Sequence, residues 1–250
     1  TRTHINAEPE KKLADVIACL IRETAPHAVN VASPYFVGHM TSAIPFFMVH
    51  LKTIVAALNQ NVVKLETSKV VSVIEKQVIA KIHRLIYDCP ESKDGFSGIE
   101  AEGIAAAYQA YGVDRCVILA SRLVHYSLRK SAGILGIGNN SVIPVETDAG
   151  HRIDIGALKQ TIARIKSESP KTCILAVVGI AGATETGTVD PLEEMAAICR
   201  DHSIHFHVDA AWGGPTLLSE KYAHLLSGIE KSDSVTIDGH KQFYMPMSCG

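Results

Sequence analysis

The chain has 250 residues, with 24 Lys and Arg against 26 Asp and Glu, and 47% of its residues are hydrophobic. That length suits one large domain, or a domain with an appendage, around a substantial core. The formal charge is −2 and the basic residues form no stripe or run, which excludes a nucleic-acid footprint and a polybasic membrane patch and leaves a small molecule as the expected partner.

After a polar opening over residues 1–10, Leu13, Val16, Ile17 and Leu20 recur at helical spacing and predict an N-terminal amphipathic helix. Pro34 and Pro45 then fence an aromatic loop holding Tyr35 and Phe36, on the extended path that proline imposes. It reads either as a pocket lining or as a connector tucked against the core. From Thr67 or Ser68 as a cap, Val70, Val71, Ile74, Val78, Ile82, Leu85 and Ile86 keep one apolar face and predict a long helix whose stripe is for packing.

From Arg115 onward, strands and helices alternate. Strands are predicted at Val117–Ala120, Val142–Val145, Thr172–Val178, Ile204–Val208 and Ser234–Ile237, and helices near His125–Leu135, Asp154–Lys166 and Pro191–Asp201. This alternation predicts an α/β fold with a mostly parallel sheet covered by helices on both faces. Asp190, Pro191 and Glu193 read as a capping box, which assigns Asp190 to the helix start and leaves it out of any site. The six cysteines contain no Cys-x-x-Cys pair, and several sit in apolar segments as small hydrophobes. No signal peptide opens the chain and no apolar stretch reaches ~20 residues, so the expected setting is the cytoplasm with nothing spanning a bilayer.

Chemistry gathers at the ends of the last two strands. Ile204–Val208 runs into Asp209, Ala210, Ala211, Trp212, Gly213 and Gly214, and Ser234–Ile237 runs into Asp238, Gly239, His240 and Lys241. The C-terminal edge of a parallel sheet is where such folds hold ligands. A desolvated amine there can form a Schiff base with a carbonyl compound. A carboxylate suits a cationic nitrogen, and small alanines leave room for a flat ring. An acid for a pyridinium nitrogen with a Schiff-base lysine one strand further on is what a pyridoxal phosphate site needs. A rival constellation uses His205, His207 and Asp209, which share a strand face at spacing two and could gather a divalent metal. Against it, no further cluster is placed to complete the shell, and Ala210 stands where His-x-His-x-Asp metallohydrolases usually add a histidine.

The run from His207 to Gly214, followed by Asp233, Ser234, Val235 and then His240 and Lys241, resembles the group II pyridoxal-phosphate-dependent amino-acid decarboxylases, which include glutamate, aspartate, diaminobutyrate and aromatic amino-acid decarboxylases. Glu66, Thr67 and Ser68 match the family as well, and the Pro34–Pro45 segment tilts the likeness toward decarboxylases over an aminotransferase or another lyase of the same fold. The resemblance implies the fold type I, PLP-dependent transferase-like architecture, with residues 1–66 as an N-terminal helical segment and 67–250 as the cofactor-binding large domain. A small C-terminal domain bearing the substrate-carboxylate arginine is expected past Gly250.

By the same resemblance, Lys241 would hold the cofactor and Asp209 would keep its ring nitrogen protonated. His125 would stack on the ring with Ala211 on the other side, Thr184 would lie beside the cofactor, and His240 would lie near the phosphate or the Lys241 linkage. The implied substrate is glutamate, aspartate or 2,4-diaminobutyrate, and the implied assembly is a homodimer with the site at the subunit boundary. One departure stands out. Between Cys89 and Gly103 the family carries a Ser-Gly-Gly-Thr-like turn opening a helix that would hold the phosphate. This chain is shorter there, and Ser97 and Gly98 do not replace that turn. Either residues are missing from the sequence or the phosphate cup is lost, and the second case would make the chain an inactive homologue.

Overall fold

Val117, Ile118, Leu119 and Ala120 form an unbroken apolar run, as a strand buried on both faces requires. The structure, a computed structural model, describes residues 11–31, 33, 35, 43–60, 65–87 and 98–246, and it places that run in the interior of a five-stranded sheet. The strands are β1 (Arg115–Ser121), β2 (Val142–Val145), β3 (Thr172–Ile180), β4 (His205–Asp209) and β5 (Ser234–Thr236). Their order is β2-β1-β3-β4-β5, and every neighbouring pair is parallel. Pro144 sits in β2 at the sheet's edge, where a missing N–H breaks no ladder. The five predicted strands are all present, at nearly the predicted bounds.

Among the described residues, helices α1 (Leu13–Cys19), α2 (Phe47–Leu58), α3 (Leu65–Ser68), α4 (Val70–Ile86) and α5 (Gly98–Tyr111) precede the sheet. Helices α6 (Tyr126–Ile134), α7 (Ile155–Glu168) and α8 (Leu192–His202) connect its strands. Asp154 caps α7 as its position suggests, its carboxylate accepting from the Ala157 N–H at 2.7 Å. The two sheet faces are covered unequally. Val117, Leu119, Val177, Phe206 and Val208 pack with Leu158 and Ile162 of α7 and with Leu192, Met195 and Cys199 of α8 in one large core. On the other face Ile118, Ala120 and Val178 form a smaller cluster, joined by Val124 and by Leu128 of α6.

Two expectations need correction. Asp190 does not cap α8, whose N-cap residue is Pro191, with no side-chain cap bond. An antiparallel bridge between Ala181 and Val189 folds the chain back beside β3. Asp190 is thereby buried, at 5% exposure, and its carboxylate accepts from the backbone N–H of Ile153 at 2.7 Å and of Ile180 at 2.8 Å. Thr67 and Ser68 lie within α3 and not at the cap position of α4. Ser68 ends α3 and bonds Ser72, and the residue before α4 is Lys69, at φ +46° with no side-chain cap.

The stripe of α4 also lies largely in solvent, with Val70, Ile74 and Val78 exposed and Ile86 buried. Leu13 and Ile17 of α1 are exposed, as are Phe47, Leu51, Ile54 and Val55 of α2. Of the aromatic loop, Ser33, Tyr35 and residues 43–45 are described, and Tyr35 is exposed. Pro34 and Phe36 lie outside the described residues, as do 88–97, which hold most of the stretch where the resemblance expects the phosphate-holding turn.

Candidate active site

The chain steps from β1 to β2 on one side and then crosses to β3 on the other, so the strand order reverses around β1. Ligands of open parallel sheets bind at such a reversal, outside the carboxyl ends of the strands. A cavity of about 440 Å³ opens there, lined by the segments that follow β1, β3, β4 and β5.

Each segment is fixed by its own hydrogen bonds. After β1, the Ser121 hydroxyl accepts from the Leu123 N–H at 3.1 Å, turning the chain into α6. His125 stands at the start of that helix, its Nδ1 accepting from the Ser127 N–H at 3.4 Å and lying 2.8 Å from the Ser127 hydroxyl. After β3, the loop from Ala181 to Thr184 interlocks with the turn after β4. The Gly213 N–H donates to the Ala181 carbonyl at 3.0 Å, and the Ala181 N–H to the Asp209 carbonyl at 2.8 Å. A Cβ on Gly213 would lie 2.3 Å from that same Ala181 oxygen, and one on Gly182, at φ +100°, would lie 2.8 Å from the Trp212 ring. Glycine at both positions is what lets the two turns meet.

Asp209 ends β4 and is half-buried, with Oδ1 accepting from the Ala211 N–H at 3.2 Å. Two residues past β5, Asp238 donates its N–H to the Ala211 carbonyl at 3.2 Å and lines the cavity. Lys241 follows within the turn, its Nζ 2.8 Å from Asp238 Oδ2, and both side chains are 19% exposed.

Of the residues singled out from sequence, Lys241, Asp209, His125, Thr184 and Ala211 all line this one cavity. His240 does not. Its Nε2 lies 3.8 Å from Asp238 Oδ2. Sequence reasoning missed Asp238, which it read only as a strand end, and Trp212, Thr236, Ser127 and Ser131, which also line the cavity. Alternation along β5 carried the signal for Asp238, since Ser234, Thr236 and Asp238 fall on the face that His207 and Asp209 occupy on β4.

His207 lines the cavity too, and burial pushes its imidazole below the ordinary value, as does His205, against the upward pull of Asp209. The metal reading of His205, His207 and Asp209 finds no shell: among the described residues no group of three His, Cys, Asp or Glu side chains is placed to hold a metal ion.

The donor set suits a flat cationic heterocycle with a carbonyl substituent. Asp209 offers a carboxylate anchored on a backbone N–H, and Lys241 offers an amine. No arginine is among the lining residues, so the walls described supply no side-chain fork for a phosphate.

A family model described as the pyridoxal-dependent decarboxylase conserved domain matches residues 100–250. The chain is 41% identical to aspartate 1-decarboxylase of Aliivibrio fischeri, over 92% of its own length and 49% of the relative's. It is 33% identical to L-2,4-diaminobutyrate decarboxylase of Rhizobium meliloti, over 95% and 49% of the two chains. It thus spans about half the length of the curated relatives it matches. The first of these alignments runs to 269 positions, more than the 250 residues of this chain, so that relative carries residues that have no counterpart here.

Among solved structures, the glutamate decarboxylase domain of diaminobutyrate-pyruvate transaminase and L-2,4-diaminobutyrate decarboxylase from Vibrio parahaemolyticus superposes with a TM-score of 0.86 at 26% identity. That match covers 99% of this chain and 58% of the other. Mouse CSAD superposes at 0.84 and 26% identity, over 98% and 55%.

Proposed function

Because the chain belongs to the pyridoxal-dependent decarboxylase family, we propose that it carries the cofactor-holding side of an enzyme that removes the α-carboxylate of an amino acid. The observation that carries this reading is that Asp209 and Lys241, from neighbouring strand ends, line one cavity with His125, Thr184 and Ala211. The family's cofactor is pyridoxal phosphate, which supplies the electron sink when the carboxylate bond breaks.

Asp209 would keep the cofactor's ring nitrogen protonated, because a carboxylate beside a pyridine stabilises its protonated form. Lys241 would supply the amine that holds the cofactor, and Asp238 orients that amine across 2.8 Å. His125, held by Ser127, and Ala211 would flank the ring. Trp212 and Leu123 line the same walls and would help exclude water. His240 approaches the same Asp238 oxygen as Lys241, at 3.8 Å.

Aspartate is the first substrate to test, on the strength of the 41% identical relative, with 2,4-diaminobutyrate and glutamate next. Residues 67–250 serve as the cofactor-binding unit and 1–66 as an appended helical segment. The assembly is a homodimer, supported by the apolar side chains that α1, α2 and α4 leave in solvent. The cytoplasm is the proposed setting, consistent with the free thiols of Cys19, Cys116, Cys173 and Cys199. Among the described residues no helix is long and apolar enough to cross a membrane.

The test is CO2 release from a panel of amino acids by the protein supplied with pyridoxal phosphate, with borohydride used to fix the cofactor on Lys241. Gas evolved from aspartate together with a fixed adduct at Lys241 supports the reading. Transamination without gas assigns the chain to another chemistry of the same fold. A protein that takes up no cofactor sinks the proposal.

A further inference from the structure

The proposed decarboxylation uses none of the four described thiols, and two of these are neighbours across the sheet. Cys116 is the second residue of β1 and Cys173 the second of β3, and the register pairs them directly. Residues paired in this way point to the same face of a parallel sheet, on strands roughly 4.7–4.9 Å apart. A disulfide needs Cα atoms roughly 4.4–6.8 Å apart, so the two strands already stand at bonding distance. Just before the pair, the Asp114 N–H donates to the Lys171 carbonyl at 2.9 Å and holds the two strand starts side by side.

The two thiols differ in their surroundings. Cys116 is buried, at 6% exposure, and its N–H donates to the hydroxyl of Tyr108 on α5 at 3.2 Å. Cys173 is partly exposed, so a reagent from solvent meets it first. Burial raises the Cys173 thiol above its ordinary value, as do the charge and the hydrogen bond of the Cys116 thiol beside it. Cys173 is therefore a slow nucleophile at neutral pH and a faster one as pH rises.

We propose that Cys116 and Cys173 are a redox-sensitive pair, closing to a disulfide by exchange with a small disulfide such as oxidised glutathione. The Cys173 thiolate attacks one glutathione sulfur and breaks that S–S bond, releasing the first glutathione. The Cys116 thiolate then attacks Cys173 Sγ, forms the bond between the strands and releases the second. The two protons shed by the cysteines end on the two departing thiols, and two electrons pass from the protein pair to the small disulfide. Paired side chains must lean together to bring their Cβ atoms within roughly 3.5–4.5 Å, and the strain of that lean keeps the bond open to reduction. The register slips by one residue just past the pair, between Val117 and Ile118, so the strand starts adjust without dragging the rest of the ladder. The pair lies at the end of the sheet opposite to the cofactor cavity, so closure staples β1 to β3 and leaves the walls around Lys241 alone.

The test holds the unaltered protein with oxidised glutathione at about pH 8.5, near the ordinary thiol value. The protein is then alkylated, digested without reductant and read by mass spectrometry. The expected product is a peptide joining Cys116 to Cys173, with two hydrogens lost and no glutathione retained, and it opens again with dithiothreitol. In Cys116→Ser the second step has no nucleophile, and glutathione is expected to remain on Cys173. Closing the loop between positions 116 and 173 is expected to raise the urea midpoint of the linked protein by about 1 M. Glutathione retained on Cys173 in the unaltered protein, links to other cysteines, or both thiols left free overturns the proposal. A midpoint that does not rise on linkage overturns the claim that the strands already stand at bonding distance.

Discussion

Replacing Asp190 by alanine removes a carboxylate that accepts two main-chain donors from segments far apart in sequence, Ile153 and Ile180. The side chain is 5% exposed, so the orphaned N–H groups have little water to turn to. Each buried donor left without a partner costs roughly 1–3 kcal/mol, and the pair therefore costs roughly 2–5 kcal/mol once some water enters the vacated space. With a urea dependence near ~3 kcal/mol/M for a domain of this size, the unfolding midpoint drops by roughly 0.7–1.7 M. Asp190→Asn keeps one acceptor and turns a donor against the other N–H, so it costs roughly half as much.

The pH dependence has an unusual sign. Burial holds the Asp190 carboxyl above its ordinary range, outweighing the two N–H donors that lower it. A carboxyl raised on folding contributes stability that is fully present below its unfolded value and is lost as pH rises through the folded one. The unaltered protein therefore loses this contribution on raising pH through that window, and Asp190→Ala removes the slope along with the anchor. Equilibrium urea unfolding at several pH values, followed by circular dichroism, measures both. A loss below about 1 kcal/mol for Asp190→Ala would refute the claim that this carboxylate pins the end of β3.

Gly213→Ala sets a methyl 2.3 Å from the Ala181 carbonyl oxygen, a backbone atom that cannot swing aside, and should cost roughly 1–3 kcal/mol in thermal unfolding together with a weakened hold on the cofactor. Trp212, the sole tryptophan, lines the cavity, so its fluorescence should fall saturably as pyridoxal phosphate is added, and should stay unchanged with a probe that lacks the ring. His207 is lowered on folding, so its contribution is present above pH 6.5 and lost as pH falls through its folded value; His207→Gln should flatten that part of the stability curve measured in urea. Burial, with Asp233 adding to it, pushes the Cys199 thiol up to about 12, and iodoacetamide at pH 8 should leave it unlabelled in the native protein while labelling it after unfolding, as read by mass spectrometry.

The strands were legible because each is a short apolar run closed by turn residues, and Val117–Ala120 is the plainest case. Asp209 and Lys241 could be paired in advance because each ends a strand of one parallel sheet and so reaches the same edge. What stayed hidden depends on contacts made across the chain. Asp190 carries a local pattern that suits a helix cap, yet its partner Ile153 lies 37 residues earlier, and no local pattern encodes that meeting. Asp238 was legible as a residue but not as a wall of the cavity, since its direction follows from the Ala211 carbonyl that receives its N–H. The apolar stripes of α1 and α4 were read correctly as helical, while their exposure reflects what lies opposite them, which periodicity does not report.

β5 has three residues and, among the described residues, pairs with β4 alone, yet the lysine and its aspartate hang from its end. A short outermost strand frays before the interior ones do. The Lys241 amine thus hangs from the shortest strand of the described sheet. A ligand tethered at Lys241 and gripped at Asp209 would clasp β5 to β4, and its binding energy would add to the stability of that pair. Cofactor-loaded protein should accordingly resist proteolysis around Asp233–Lys241 far better than the bare chain, making the vitamin-derived group a final fastening of the fold as well as its chemical tool.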